Sequence, residues 1–92
     1  MGGESLTLED VIRLSEKGNE LEWADFDGYA FWATGSGLMI NVYPIDQDFS
    51  LWVGGGGGSP FPMYVRLFEN DTGEEAIDIR QEDVKTFIAG HR

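Results

Sequence analysis

Carboxylates are the commonest side chains in this sequence that could do chemistry, alongside five serines and one histidine, His91. Carboxylates act as general acids or bases and as ligands of hard cations. A serine nucleophile needs a base that a third group holds in place, and no such pattern is present. The chain has no cysteine, which excludes disulfides and thiolate metal sites. We therefore predict no enzymatic activity, no metal and no cofactor.

Two segments resemble ligand-binding loops but lack the required spacing. The oxygen-rich segment 69–75 has neither the alternating ligands nor the flanking helices of an EF-hand loop. We interpret it as a polar turn, with weak Ca²⁺ binding as the alternative. The glycine run 54–58 lacks the lysine of a phosphate-binding loop and leads through Pro60 into a predicted strand. We interpret this run as a flexible hairpin loop.

The acidic residues form two clusters. The 92 residues carry 17 Asp and Glu against 6 Lys and Arg, a net charge of −11, beyond the magnitude of about 2–8 that suffices for solubility. Residues 4–27 hold eight of the acids and residues 69–83 hold seven. A field of this sign favours a basic partner and disfavours nucleic acid, phosphate-rich ligands and anionic membranes. Solubility alone is the alternative explanation.

The length is that of one domain, residues 1–92, and 12 aromatic residues predict a folded chain despite the charge. No apolar stretch is long enough to span a bilayer, and the first residues lack the basic and apolar parts of a signal peptide. With the absence of cysteine, these features predict a cytoplasmic protein.

The apolar periodicity predicts two helices and one shorter turn. A helix is expected over residues 6–17, because apolar residues recur at helical spacing and Thr7 can cap the first turn. A second helix is expected over 82–89, and a single helical turn at Trp23–Phe26.

From residue 29 the apolar period becomes two, which is typical of strands. Strands are predicted at about 29–34, 38–43, 49–53, 62–68 and 75–79. Their connections are short and rich in turn residues, so the strands should be antiparallel. The predicted fold is α+β: an antiparallel meander of four or five strands with N- and C-terminal helices packed on one face.

The alternation divides the predicted strands into two faces. One is almost purely aliphatic and is expected to be the core face: Leu38, Ile40, Val42, Phe49, Leu51, Val53, Met63, Val65, Leu67, Ile77 and Ile79. The other face is mixed and holds four aromatics, Tyr43, Trp52, Tyr64 and Phe68. These aromatics either stabilise cross-strand pairs or form the centre of an interface, for instance in a homodimer.

Several segments resemble a known group of proteins: Leu21–Tyr29, Gly35–Leu38, Tyr43–Asp46, Pro62–Leu67, Ile77–Arg80, Asp83–Val84 and Phe87–Ile88. Across residues 8–89 the chain resembles a group of small acidic bacterial proteins with no assigned activity. That resemblance implies a compact domain and no particular chemistry. In size and charge alone, the chain is also similar to DNA-mimic inhibitors of phages and plasmids, such as anti-CRISPR proteins.

We therefore predict a non-enzymatic acidic module that binds a basic protein surface. A groove that normally holds nucleic acid is the favoured partner, because spaced carboxylates can stand in for phosphates, while the chain itself would bind neither nucleic acid nor membrane. The candidate contact residues are Glu9, Asp10, Glu16, Glu20, Glu22, Asp25, Asp27, Glu69, Asp71, Glu74 and Glu75. The alternative is a structural or regulatory protein that self-associates through the face bearing Tyr43, Trp52, Tyr64 and Phe68, or through a sheet edge.

Overall fold

A computed structural model of the chain describes residues 3–34, 39–56, 59–70 and 76–90. Its elements are helix α1 (Leu8–Ser15), two 3₁₀ turns (Gly18–Glu20 and Trp23–Phe26), strands β1 (Trp32–Thr34), β2 (Met39–Pro44), β3 (Phe49–Gly55), β4 (Tyr64–Glu69) and β5 (Ala76–Asp78), and helix α2 (Val84–Gly90). The α+β class, the order of elements and the helical turn at Trp23–Phe26 are confirmed.

Helix α1 begins at the predicted cap. The backbone N–H of Asp10 donates to the Thr7 hydroxyl at 3.1 Å, and the Asp10 carboxylate accepts from the backbone N–H of Thr7 at 3.2 Å. Arg13 also donates to that carboxylate, at 2.9 Å. Burial opposes ionisation of Asp10, but the bonds from Thr7 and the Arg13 charge outweigh it, so the pKa of Asp10 lies below its usual value.

The five strands form one antiparallel sheet in chain order, β1-β2-β3-β4-β5. This is the predicted meander, in which each strand pairs with its neighbours in sequence. Within the described residues, each edge strand has three residues, which offers little backbone for pairing with another chain.

The core lies between one face of the sheet and the helices. Helix α1 contributes Val11 and Leu14, the second 3₁₀ turn contributes Phe26, and α2 contributes Val84. The sheet contributes five residues from its two central strands: Phe49, Leu51, Val53, Val65 and Leu67. All four helical side chains pack in the same cluster. The prediction that both helices cover one face is therefore confirmed.

The predicted face assignment is wrong for β2. Tyr43 pairs with Leu51, and Val42 pairs with Trp52, so Tyr43 faces the core and Val42 faces away from it. The reason is the length of the connection to β3. The backbone N–H of Ile45 donates to the carbonyl of Phe49 at 3.2 Å, which leaves three residues, 46–48, in the turn. Because three residues intervene, same-parity residue numbers share a face across these two strands. Leu38 lies outside the described residues.

The beginning of the glycine run is strand rather than loop. Gly54 and Gly55 end β3, and Gly54 pairs with Tyr64. The Tyr64 ring lies over Gly54 and occupies the space that a Cβ there would take. Met63, predicted to face the core, precedes β4 and is 67% exposed. The shorter strand thus leaves this methionine at the surface.

Candidate functional site

The first acidic cluster lies around the 3₁₀ turn that joins α1 to the sheet. The Asp25 carboxylate accepts from the backbone N–H of Glu22 at 2.8 Å and pairs with Lys17. The Lys17 bond is the main cause of the lowered pKa of Asp25, and the same bond raises the pKa of Lys17. The backbone N–H of Trp23 donates to Pro60 at 2.9 Å, which ties this turn to the loop after β3.

Two adjoining surface depressions are lined largely by carboxylates. One is lined by Lys17, Glu20, Glu22 and Asp25, and the other by Gly3, Glu4, Asp25, Asp27, Gly28 and Tyr29. Asp25 borders both. We call the five acids among these residues, Glu4, Glu20, Glu22, Asp25 and Asp27, the acidic surface. Lys17 is the one cation among the described residues that line it, and Lys17 already pairs with Asp25.

The N-terminal segment brings Glu4 to this surface. Glu4 donates to Gly28 at 2.9 Å and accepts from Ala30 at 2.8 Å through its backbone. Gly28 has a φ of 91°, which favours glycine. A Cβ at Gly3 would overlap the Gly28 carbonyl. Glycine at both positions therefore allows the two segments to approach this closely.

An aromatic pocket of about 240 Å³ adjoins the acidic surface. It is lined by Trp23, Phe26, Asp27, Gly28, Phe31, Met39, Asn41 and Tyr43, so Asp27 and Gly28 border both features. The rings of Phe26 and Phe31 each lie 5.4 Å from the Tyr43 ring. Sites for drug-sized ligands occupy roughly 300–1,000 Å³. This pocket is therefore of a size for one side chain.

The Tyr43 hydroxyl stays protonated at neutral pH. Burial raises the pKa of Tyr43, the Asp27 carboxylate raises it further, and a hydrogen bond from Asn41 only partly opposes them. The phenol is thus a neutral wall of the pocket, and the charge at the rim comes from Asp27.

The structure brings together only some of the predicted acidic contact residues. Glu20, Glu22, Asp25 and Asp27 lie together on the acidic surface, while Glu9 and Glu16 are exposed on or beside α1. Asp10 is engaged by Thr7 and Arg13 within its own helix. Glu69 is 9% exposed and pairs with Phe49, so its placement on the surface was wrong. Asp71, Glu74 and Glu75 lie outside the described residues.

The sheet face opposite the helices, which we call the second face, carries three of the four predicted aromatics. Trp52 contacts Phe68 with 5.3 Å between ring centroids, and Arg66 stacks over the Tyr64 ring at 4.8 Å. Tyr43 is 3% exposed in the core, and its assignment to this face was wrong.

Trp32 belongs to the second face but was absent from the predicted set. It pairs with Val42 and meets Trp52 edge-on, with 6.2 Å between ring centroids. Val42 is only 3% exposed although it is not a member of the core cluster. Its place between Trp32 and Trp52 in the register explains that burial. The available signal in the sequence was the alternation of an extended chain: Tyr29, Phe31 and Ala33 share one face, which puts Trp32 on the other.

Sequence reasoning also missed most of the aromatic pocket. Phe31 is 52% exposed and Met39 is 49% exposed, and both line it. The available signal was the density of aromatics on either side of the Asp27-Gly28 turn.

Across residues 3–34, 39–56, 59–70 and 76–90, the chain has no group of three or more Asp, Glu or His side chains placed to hold a metal ion. Within the same residues, no helix has both the length and the apolar character needed to cross a membrane.

Comparison of the chain with protein families, with curated proteins and with solved structures gives no match. The resemblance to small acidic bacterial proteins therefore stays a prediction.

Proposed function

We propose that this protein is a non-enzymatic module that binds a basic surface of another protein through its acidic surface. The observation that carries the proposal is the convergence of Glu4, Glu20, Glu22, Asp25 and Asp27 on two adjoining depressions. Lys17 neutralises part of this charge, and the net charge of −11 supplies a long-range field that steers a basic partner toward it.

A groove that normally binds nucleic acid is the partner this surface fits best. Such grooves are lined with Lys and Arg that contact phosphates at short intervals. The carboxylates of the acidic surface offer a comparable series of negative charges. Occupying the groove would make the module an inhibitor of nucleic-acid binding by its partner.

The test uses an arginine- and lysine-rich synthetic peptide of twelve residues and the ¹⁵N-labelled protein. Amide shifts should move first at residues 20–28 and at Glu4, and the affinity should fall steeply between about 50 and 300 mM salt because exposed charges are screened. Shifts that spread over every exposed acid alike would overturn the proposal, because they would indicate a diffuse field without a site.

A matched pair of variants separates the site from the total charge. Glu20→Gln and Glu82→Gln each remove one charge from an exposed side chain, but Glu82 lies near the start of α2 and outside the acidic surface. Glu20→Gln should weaken the peptide more than Glu82→Gln does. Equal losses would contradict the proposal.

Self-association through the second face is the second candidate function, and the exposure of Trp32 favours it. Trp32 is 51% exposed beside Trp52, and exposed aromatics mark interface centres. The two candidates differ in the sign of their salt dependence. Salt weakens the binding of a basic partner, but it strengthens the pairing of two copies that each carry −11.

A further inference from the structure

The aromatic pocket beside the acidic surface combines three features that suit a cation. Its lining includes four aromatic residues, Trp23, Phe26, Phe31 and Tyr43, together with Asp27, and its volume is about 240 Å³; Phe31 is the most exposed of the four. Aromatic rings attract cations through their negative faces, most strongly where water is excluded. A carboxylate at the rim adds an opposite charge.

We propose that this pocket receives one arginine side chain of the basic partner. The inference rests on the proposed function, since it names the group by which that partner is anchored. Arginine fits better than lysine because its planar guanidinium is weakly hydrated and stacks on aromatic rings. The same ion can reach the Asp27 carboxylate with its edge while its face lies against a ring.

The charge state of the walls is consistent with a cationic guest. The pKa of Tyr43 is raised, chiefly by burial, so the phenol does not ionise in the neutral range. The carboxylate of Asp27 is therefore the group that supplies negative charge there. Asn41, which hydrogen bonds to the Tyr43 hydroxyl, is the remaining polar wall.

The pocket is continuous with the acidic surface, so one basic partner can contact both. Asp27 and Gly28 line both features, so a basic chain lying on the acidic surface passes the pocket mouth. An aromatic-lined hollow that takes one anchor side chain is the usual centre of a protein interface, with charged contacts around it. The pocket would supply the anchor and the carboxylates the surrounding contacts.

Neighbouring residues offer a matched pair of variants. Phe31 and Trp32 are 52% and 51% exposed, but Phe31 lines the pocket whereas Trp32 lies on the second face. Phe31→Leu and Trp32→Leu thus remove an aromatic ring of equal exposure from opposite sides of the sheet. Asp27→Asn and Glu82→Gln form the corresponding pair for charge.

The first experiment measures binding of an eight-lysine peptide with one central arginine. Phe31→Leu should weaken it by about three- to thirtyfold, the range of a cation held against aromatic rings, and Asp27→Asn by about two- to fivefold, the range of an exposed ion pair. Trp32→Leu and Glu82→Gln should change it less than about twofold. Replacing the central arginine with citrulline, which keeps the shape and removes the charge, should weaken binding to the wild type more than binding to Phe31→Leu.

The second experiment tests the pocket without any peptide, by titrating propylguanidinium and its neutral isostere propylurea into the labelled protein. Propylguanidinium should shift the Phe31 and Tyr43 signals, and propylurea should not. If peptide binding is salt-sensitive but Phe31→Leu and Trp32→Leu weaken it equally, the proposal for the pocket is wrong and the proposal for the acidic surface is retained. If propylguanidinium alone shifts the pocket signals but the basic peptide shows no preference for the acidic surface, the proposed function is wrong and the proposal for the pocket is retained. Equal shifts from the two small probes would overturn the pocket.

Discussion

Tyr43 lies directly across from Leu51 in the β2–β3 ladder, on the face that packs against the helices. Its ring contacts both Phe26 in the 3₁₀ turn and Phe31 ahead of β1. The Tyr43 side chain therefore belongs to both the hydrophobic core and the aromatic pocket. Its substitution should lower both the stability of the fold and the affinity for a basic partner.

Tyr43→Ala should lower the free energy of unfolding by about 3–5 kcal/mol, as truncation of other buried aromatics does. Tyr64→Ala removes the same side chain from the half-buried second face and should cost about 1 kcal/mol or less, the scale of a cross-strand pair. Urea denaturation followed by tryptophan fluorescence measures both. Equal costs would contradict the register of β2.

Gly54→Ala should lower stability by about 1–3 kcal/mol, because the new methyl group overlaps the Tyr64 ring and forces it to move. Gly56→Ala is the control, since a Cβ at Gly56 meets nothing within 4 Å. If Tyr64 is the cause, the cost of Gly54→Ala should shrink in a Tyr64→Ala background. A full, additive cost there would refute the close approach of ring and glycine.

Arg80→Met should be more harmful than Arg13→Met. Arg80 donates to Asp78 at 2.8 Å and to the carbonyls of Pro62 and Met63 at 2.9 Å, and its side chain is 12% exposed. Its loss should cost about 2–3 kcal/mol, because the partly buried Asp78 and two backbone carbonyls lose their partner. Arg13 is 65% exposed, so its loss should cost less than about 1 kcal/mol. Thermal unfolding of both variants provides the comparison.

Acid should destabilise the fold through Asp10, Asp25 and Asp78. The pKa of Asp78 is lowered although its burial raises it, because the Arg80 hydrogen bonds and charge outweigh that burial. The pKa of each of the three is lower in the folded chain. Their stabilisation is therefore present above the unfolded pKa near 3.8 and is lost as the pH falls through the folded values.

Urea midpoints measured from about pH 6 down to about pH 2.5 test this linkage. Asp78→Asn should be less stable than the wild type at neutral pH, and the difference should narrow in acid. A constant difference across that range would show that Asp78 does not contribute through its charge.

Self-association through the second face predicts a mass that rises with protein concentration, and more steeply in high salt. Trp32→Lys should abolish that rise because it puts a charge at the centre of the contact, while Phe31→Lys should not. Sedimentation equilibrium over a wide concentration range measures the mass. A constant monomer mass in high salt would exclude this candidate.

The sequence predicted most of the fold because each element is specified locally. Thr7 and Asp10 specify the start of α1. Trp23 and Phe26 are three residues apart, the spacing of one helical turn. In β3 and β4 the aliphatic alternation is unambiguous. These features need only neighbours within a few residues.

The face of β2 could not be read from its side chains. Ile40 and Val42 are aliphatic and Tyr43 is aromatic, which suggests the wrong face. The register depends instead on the loop, where the Asp46 carboxylate accepts from the backbone N–H groups of Asp48 and Phe49 at 2.8 and 2.9 Å and leaves three residues in the turn. Turn length outweighed hydrophobicity there.

The site was predicted only in part for a similar reason. Asp25 and Asp27 were identifiable as acids, but their proximity to Glu4 depends on a bridge between Glu4 and Tyr29 across 25 residues. Glu69 was assigned to the surface because it is charged. It lies two residues after Leu67 in β4, however, and therefore shares the core face. Charge predicts exposure in general and failed at this position.

The order of strands in the sheet also bears on how the chain acquires its structure. Every strand pair joins neighbours in sequence, so the sheet can assemble progressively as the chain is synthesised, with short loops to close. The contact between α1 and α2 is different, because it joins residues near 8–15 to residues near 84–90. Val11 and Leu14 of α1 can already pack on the sheet residues of the core cluster, so the docking of the two helices on each other is the expected late step of folding.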